Sequence, residues 1–156
     1  MAWDTIPDGR KESDTMEIAT GYFAKAKVYS DMGYALVNIA LKKPWFLADN
    51  LVLHQPSVPL CPNEEILALK DKPKEYEKRY REEILKYISP HEVYLVLLRI
   101  ANEEQTDKVV LLCYESPEKF CHRHIVAKWL NESLGIKVSE ADVSMHKESC
   151  LFASIL

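Results

Sequence analysis

Residues 109–130, VVLLCYESPEKFCHRHIVAKWL, set Cys113, Glu115, Cys121, His122, Arg123 and His124 around one short turn. A thiol beside an imidazole is the pairing used for a nucleophile and its base. A guanidinium beside free backbone N–H groups holds an anion. On residue type, Cys121, His122 and Glu115 are the candidate catalytic groups, and Arg123 and Cys113 the candidate ligand-binding ones. Each has a plainer alternative. Cys121 and Cys113 suit small, buried, unreactive positions as well as reactive ones, and Glu115 could pair with Arg123 and simply hold the corner together.

The helix after the turn can start in two registers. Ser116 and Pro117 resemble an N-cap and first turn; alternatively the helix begins near Phe120 or Cys121. The second register puts His122 and Arg123 in the first turn, where the helix dipole disfavours cations by ~0.3–1 kcal/mol. A bound anion would repair that conflict. Val126, Trp129 and Leu130 form an apolar stripe that His122 and Arg123 continue backwards, so these two should point toward the sheet, and His124 outward. Adjacent and alternate helical residues diverge by about 100° and 200°. Cys121, His122 and His124 should therefore not converge on an ion, and no metal site is expected; no other cofactor is expected either.

The elements that must position this corner follow from pattern and punctuation. MEIATGYFAK reads as a strand ending near Thr20, with Gly21 permitting a tight turn. YALVNIALKKPWF carries a second strand, Tyr34 to Leu41, apolar enough for burial on both faces. The proline-rich stretch LADNLVLHQPSVPLCP reads as irregular loop. Asn63 caps a short helix, which Pro73 breaks, and a helix over 74–88 follows with Tyr76, Tyr80, Ile84, Tyr87 and Ile88 as a core stripe. Ser89, Pro90 and Glu92 make a capping box for a helix to Glu104. The strand Lys108–Tyr114 leads into the corner, Gly135 stops the last helix, and IKVSEADV adds a short final strand. CLFASIL is apolar enough to pack onto the body. Alternating strands and helices predict an α/β fold: a small Rossmann-like three-layer domain over 16–156 with a short, mostly parallel sheet, preceded by a loose leader over 1–15. Ligands in such sheets bind outside the carboxyl ends of the strands, where the reactive corner lies.

The 156 residues fit one domain, and the 47% hydrophobic and 28% charged content is ordinary for a globular chain. A net charge of −4 disfavours a dedicated nucleic-acid binder. No apolar run reaches the ~18 residues of a membrane span, and the N-terminus lacks the apolar core of a signal peptide. A cytoplasmic location with no membrane partner is expected. The four cysteines, Cys61, Cys113, Cys121 and Cys150, show no C-x-x-C pair and suit free thiols.

LLCYESPEKFCHRHIVAKWL resembles the signature of the domain of unknown function 488 family, in the branch with a Phe-Cys-His-Arg-His helix start. TGYFAK at Thr20 to Lys25, VNIALKKP at Val37 to Pro44 and YEKRYREEIL are similar to further segments of that family, over roughly 17–134. Gly21 stands where many relatives have Ser, and Asn38 replaces a small hydroxyl residue. The resemblance implies a Rossmann-like fold and a shared pocket, without an activity. Another branch of the family lacks the Cys and Cys-His-Arg groups.

The leading expectation is a pocket for a phosphorylated or nucleotide-like anion, with Thr20, Tyr22 and Lys25 on the wall opposite Arg123, acting as a hydrolase or transferase on nucleotides or nucleic-acid components. One alternative is non-catalytic capture of a nucleotide signal, of the phage counter-defence type, using Arg123 with Tyr22, Phe23 and Trp45 but not the thiols. The other is a thiol-based regulatory module working through Cys113 and Cys121. A disulfide there requires their Cα atoms within about 7 Å.

Overall fold

The computed structural model describes residues 16–116 and 118–144. The leader, Pro117, Cys150 and the tail CLFASIL lie outside them. Five strands form one all-parallel sheet: β1 (Glu17–Tyr22), β2 (Ala35–Asn38), β3 (Leu53–His54), β4 (Lys108–Cys113) and β5 (Val138–Glu140), in the order β3-β2-β4-β1-β5. The helices are α1 (Ala26–Asp31), α2 (Glu64–Leu67), α3 (Pro73–Glu83), α4 (Pro90–Glu103) and α5 (His122–Leu134). Parallel strands need crossovers, and right-handed crossovers put α1 on one face of the sheet and α4 and α5 side by side on the other. This is the three-layer α/β domain that the sequence predicts.

Local signals hold at several ends. The Asn63 side chain accepts from the N–H of Ile66, Ser89 accepts from that of Glu92, and Gly135 is left-handed at φ 68°. Three expectations are corrected. Gly21 makes no turn: it is paired with Leu112 inside β1, and the strand runs on to Tyr22. Its missing Cβ serves a close approach, because one built there would stand 2.5 Å from the ring of Tyr29. The chain then enters α1, which carries no strong apolar period. The presumed loop contributes β3, whose two residues pair with Leu36 and Val37. The expected helix over 74–88 ends at Glu83 and gives way to a 3-10 turn, so Tyr76 and Tyr80 are buried while Tyr87 is exposed.

Tyr22 pairs with Cys113, and Asn38 with Leu112, so the carboxyl ends of β1, β4 and β2 lie side by side. From β2 the chain moves toward β3; from β4 it moves the opposite way to β5. Such a reversal opens a crevice between the two strand ends.

Candidate functional site

The second helix register is the one adopted. Cys121 is the N-cap of α5 with extended backbone, φ −155° and ψ 146°, and His122 is the first helical residue. The angular argument against convergence therefore fails for this pair, since only one of the two is helical. Cys121 Sγ lies 3.8 Å from His122 Nδ1. The sulfurs of Cys113 and Cys121 and a ring nitrogen of His122 all fall within 4.8 Å of one another, and all three residues are buried. His124 is not in that group. It is half-buried, and its Nε2 has no hydrogen-bond partner among the described residues.

His122 is held from behind. Its Nε2 is 2.6 Å from the carbonyl oxygen of Ile39, just beyond β2. A carbonyl can only accept, so Nε2 carries the proton and Nδ1 keeps a lone pair toward the sulfurs. The Asn38 side chain stabilises this turn by accepting from the N–H of Ala40 at 2.8 Å. The ring packs edge-on to Tyr80, with centroids 5.6 Å apart. Burial, opposed in part by the Ile39 hydrogen bond, pushes the His122 pKa down to about 4, so the ring is neutral at pH 7.

Cys113 and Cys121 are joined as a disulfide, with Cα atoms 7.5 Å apart. That separation exceeds the roughly 4.4–6.8 Å usual for such bonds. The sequence expectation of free thiols is corrected for this pair; Cys61 remains free. The turn brings the two together because β4 ends at Cys113 and α5 must start back over the same strand ends.

Arg123 takes a different set of partners from an anion. It is fully buried, with Nε and Nη2 donating to both carboxylate oxygens of Glu140 at 3.1 and 3.0 Å. Its Nη1 donates to Cys113 Sγ at 3.1 Å and to the carbonyl oxygen of Glu115. Thr20 donates its hydroxyl to Glu140 at 2.6 Å, and the Tyr22 ring lies 5.9 Å from the guanidinium carbon. The dipole conflict at the start of α5 is thus relieved from within: His122 is uncharged and Arg123 is neutralised by Glu140. Lys25 is half-buried at the end of a 3-10 turn, away from these contacts.

A cavity of about 400 Å³ fills the crevice. Cys113, Glu115, Cys121 and His122 line it, with Ala40 to Lys42 from the end of β2 and Tyr76, Tyr114 and Phe120 as aromatic walls. Lys42 and Lys70 supply its positive charge, and Lys70 Nζ stands 3.7 Å from the Glu115 carboxylate. Arg123, Thr20, Tyr22 and Lys25 do not line the cavity. The expected site therefore divides into a thiol–imidazole wall and, behind it, a brace of the buried Arg123 with the partly buried Glu140, touching at Cys113. Sequence reasoning missed Glu140, Lys42, Lys70 and the Ile39 carbonyl. Glu140 had one signal, a carboxylate on a short terminal strand; a backbone carbonyl has none.

Among the described residues no helix is long and apolar enough to cross a membrane. No curated protein and no solved structure matches the chain. A family model, DUF488-N3a, described as the active DUF488-N3 subclade, matches residues 56–134 and so takes in the thiol–imidazole wall and Arg123 but neither β1 nor Glu140. With half of its length matched, the chain belongs to the DUF488 family, in that subclade.

Proposed function

We propose that the chain binds a phosphorylated or nucleotide-like ligand in the cavity between β2 and β4 and acts on it through Cys121 in its reduced form. The cavity volume of about 400 Å³ suits a small ligand. Lys42 and Lys70 take the anionic group, a task that the commitment of Arg123 to Glu140 leaves to them. Tyr76, Tyr114 and Phe120 offer faces and edges to a planar ring.

The chemistry is hydrolysis or group transfer. The Cys121 thiol gives its proton to His122 Nδ1, and the sulfur bonds to the electrophilic carbon or phosphorus. The leaving group departs with that proton, and water or an acceptor then releases the bound group and regenerates the thiol. Arg123 positions Cys113 and the Glu115 carbonyl rather than touching the ligand. The observation that carries this reading is the Nδ1 lone pair of His122 facing Cys121 Sγ at 3.8 Å on a cavity wall. The family description, an active subclade, agrees with retained chemistry.

The test is a nucleotide panel offered to the reduced chain, with binding by calorimetry and products by mass spectrometry. Saturable binding that weakens in Lys42→Ala and Lys70→Ala, with product lost in Cys121→Ser, is the expected result. Ligand bound and recovered intact after long incubation would replace catalysis by capture, and no binding at all rejects the reading. The disulfide favours a second reading, a thiol-based regulatory module in which oxidation closes the site by consuming Cys121.

A further inference from the structure

We infer that the reduced form of this site is a metal centre, in which Cys113 Sγ, Cys121 Sγ and His122 Nδ1 bind one zinc-like divalent ion whose fourth position opens into the cavity. The inference leaves the ligand pocket in place but competes with the thiol chemistry proposed there, because an ion on Cys121 Sγ and His122 Nδ1 occupies the nucleophile and its base.

Four observations converge. The three donors lie within 4.8 Å of one another, and Cys121 Sγ and His122 Nδ1 are 3.8 Å apart. A tetrahedral ion with sulfur at about 2.3 Å and nitrogen at about 2.0 Å spaces its ligand atoms by roughly 3.5–3.8 Å. The imidazole is already set for coordination: its far nitrogen donates to the Ile39 carbonyl at 2.6 Å, the outer contact that fixes the tautomer and orientation of metal-bound histidines. The Cys113 and Cys121 backbones stand 7.5 Å apart at Cα, wider than a disulfide usually spans, which leaves room for an ion between separated sulfurs. Finally, all three residues border the cavity, so a fourth ligand could reach the ion from one side only.

Charge also balances. Two thiolates neutralise a divalent ion, and the neighbouring Arg123 is already paired with Glu140. A soft set of two sulfurs and one imidazole selects zinc over magnesium or calcium. The preceding step is reduction of the disulfide. An external thiol or phosphine supplies two electrons, is itself oxidised, and two protons complete the thiols. Those protons pass to solvent as the ion binds.

The experiment uses the full chain with Cys61 and Cys150 replaced by Ser, reduced with a phosphine and freed of metal. It is titrated with Co²⁺ as a spectroscopic probe and with Zn²⁺ against a chromophoric chelator. One equivalent should bind, with thiolate-to-cobalt charge-transfer absorption and tetrahedral d–d bands, and Zn²⁺ should displace the cobalt. His122→Ala should weaken binding by about 100-fold or more. Should a variant fail to fold, the unmutated pair still decides: Zn²⁺ should protect Cys113 and Cys121 from alkylation, read by mass spectrometry. Absence of a one-to-one complex, unchanged affinity in a folded His122→Ala, or alkylation indifferent to Zn²⁺ would each overturn the metal centre. Nucleotide calorimetry on the metal-free chain is scored separately, so failure of the metal centre is told apart from failure of the ligand pocket.

Discussion

Arg123 donates to the Sγ of Cys113 at 3.1 Å, so a fully buried cation reaches the floor of the cavity without entering it. That contact depends on Glu140, which accepts from the two other guanidinium nitrogens and is itself held by the Thr20 hydroxyl. Removing the partly exposed Glu140 leaves the fully buried Arg123 guanidinium uncompensated. Glu140→Gln is therefore expected to destabilise the fold by about 3 kcal/mol, measured by urea denaturation. Replacing both Arg123 and Glu140 with apolar residues should cost less than Glu140→Gln alone. Equal or greater damage in the double variant contradicts this account.

His122 gives a pH dependence of defined sign. Its pKa is about 4 in the folded chain, against 6.5 for the free side chain, so the unfolded chain binds the proton more readily. Stability is therefore full above pH 6.5, falls as the pH drops toward 4, and gains no further loss from this group below that. The loss is about 3 kcal/mol across the window. In the disulfide-bonded, metal-free chain, His122→Gln should show a flatter stability profile between pH 6.5 and 4 than the parent. Parallel profiles would exclude a neutral, buried His122.

The sequence made the layer architecture readable because its signals are local: the Asn63 and Ser89 caps, the Gly135 stop and the apolar runs of β2 and β4 act within a few residues. It failed where a neighbour from elsewhere decides the structure. Gly21 has the look of a turn, yet it is strand because it pairs with Leu112 of β4, and its bare face is covered by Tyr29. β3 exists because Leu36 and Val37 offer an edge to a segment with no strand pattern of its own. At the site, Cys121 and His122 were visible from their spacing. The partners of His122 and Arg123 lie 83 and 17 residues away, one of them a backbone carbonyl, and no local motif encodes either.

Gly21 offers a test of such packing. A Cβ there would fall 2.5–2.6 Å from the Cζ, Cε2 and hydroxyl oxygen of Tyr29. That ring cannot easily move, being buried and accepting from the N–H of Tyr22 at 3.3 Å. Gly21→Ser is expected to cost about 2 kcal/mol here by overpacking. Adding Tyr29→Leu should recover part of that loss. Thermal or urea midpoints that leave Gly21→Ser unchanged would mean the ring yields more freely than its contacts suggest.

The two sulfurs should also differ once reduced, because they have different neighbours. Cys113 faces a guanidinium that is charged at every working pH, whereas Cys121 faces a neutral imidazole whose lone pair can accept its proton. With a chelator present to exclude metal, His122→Ala should slow alkylation of Cys121 at pH 7 by about tenfold, with little effect on Cys61. Peptide mass spectrometry over a time course separates the sites. If Cys121 reacts as fast without His122 as with it, the imidazole is not its base, and the nucleophile assigned to the cavity wall loses its activating partner.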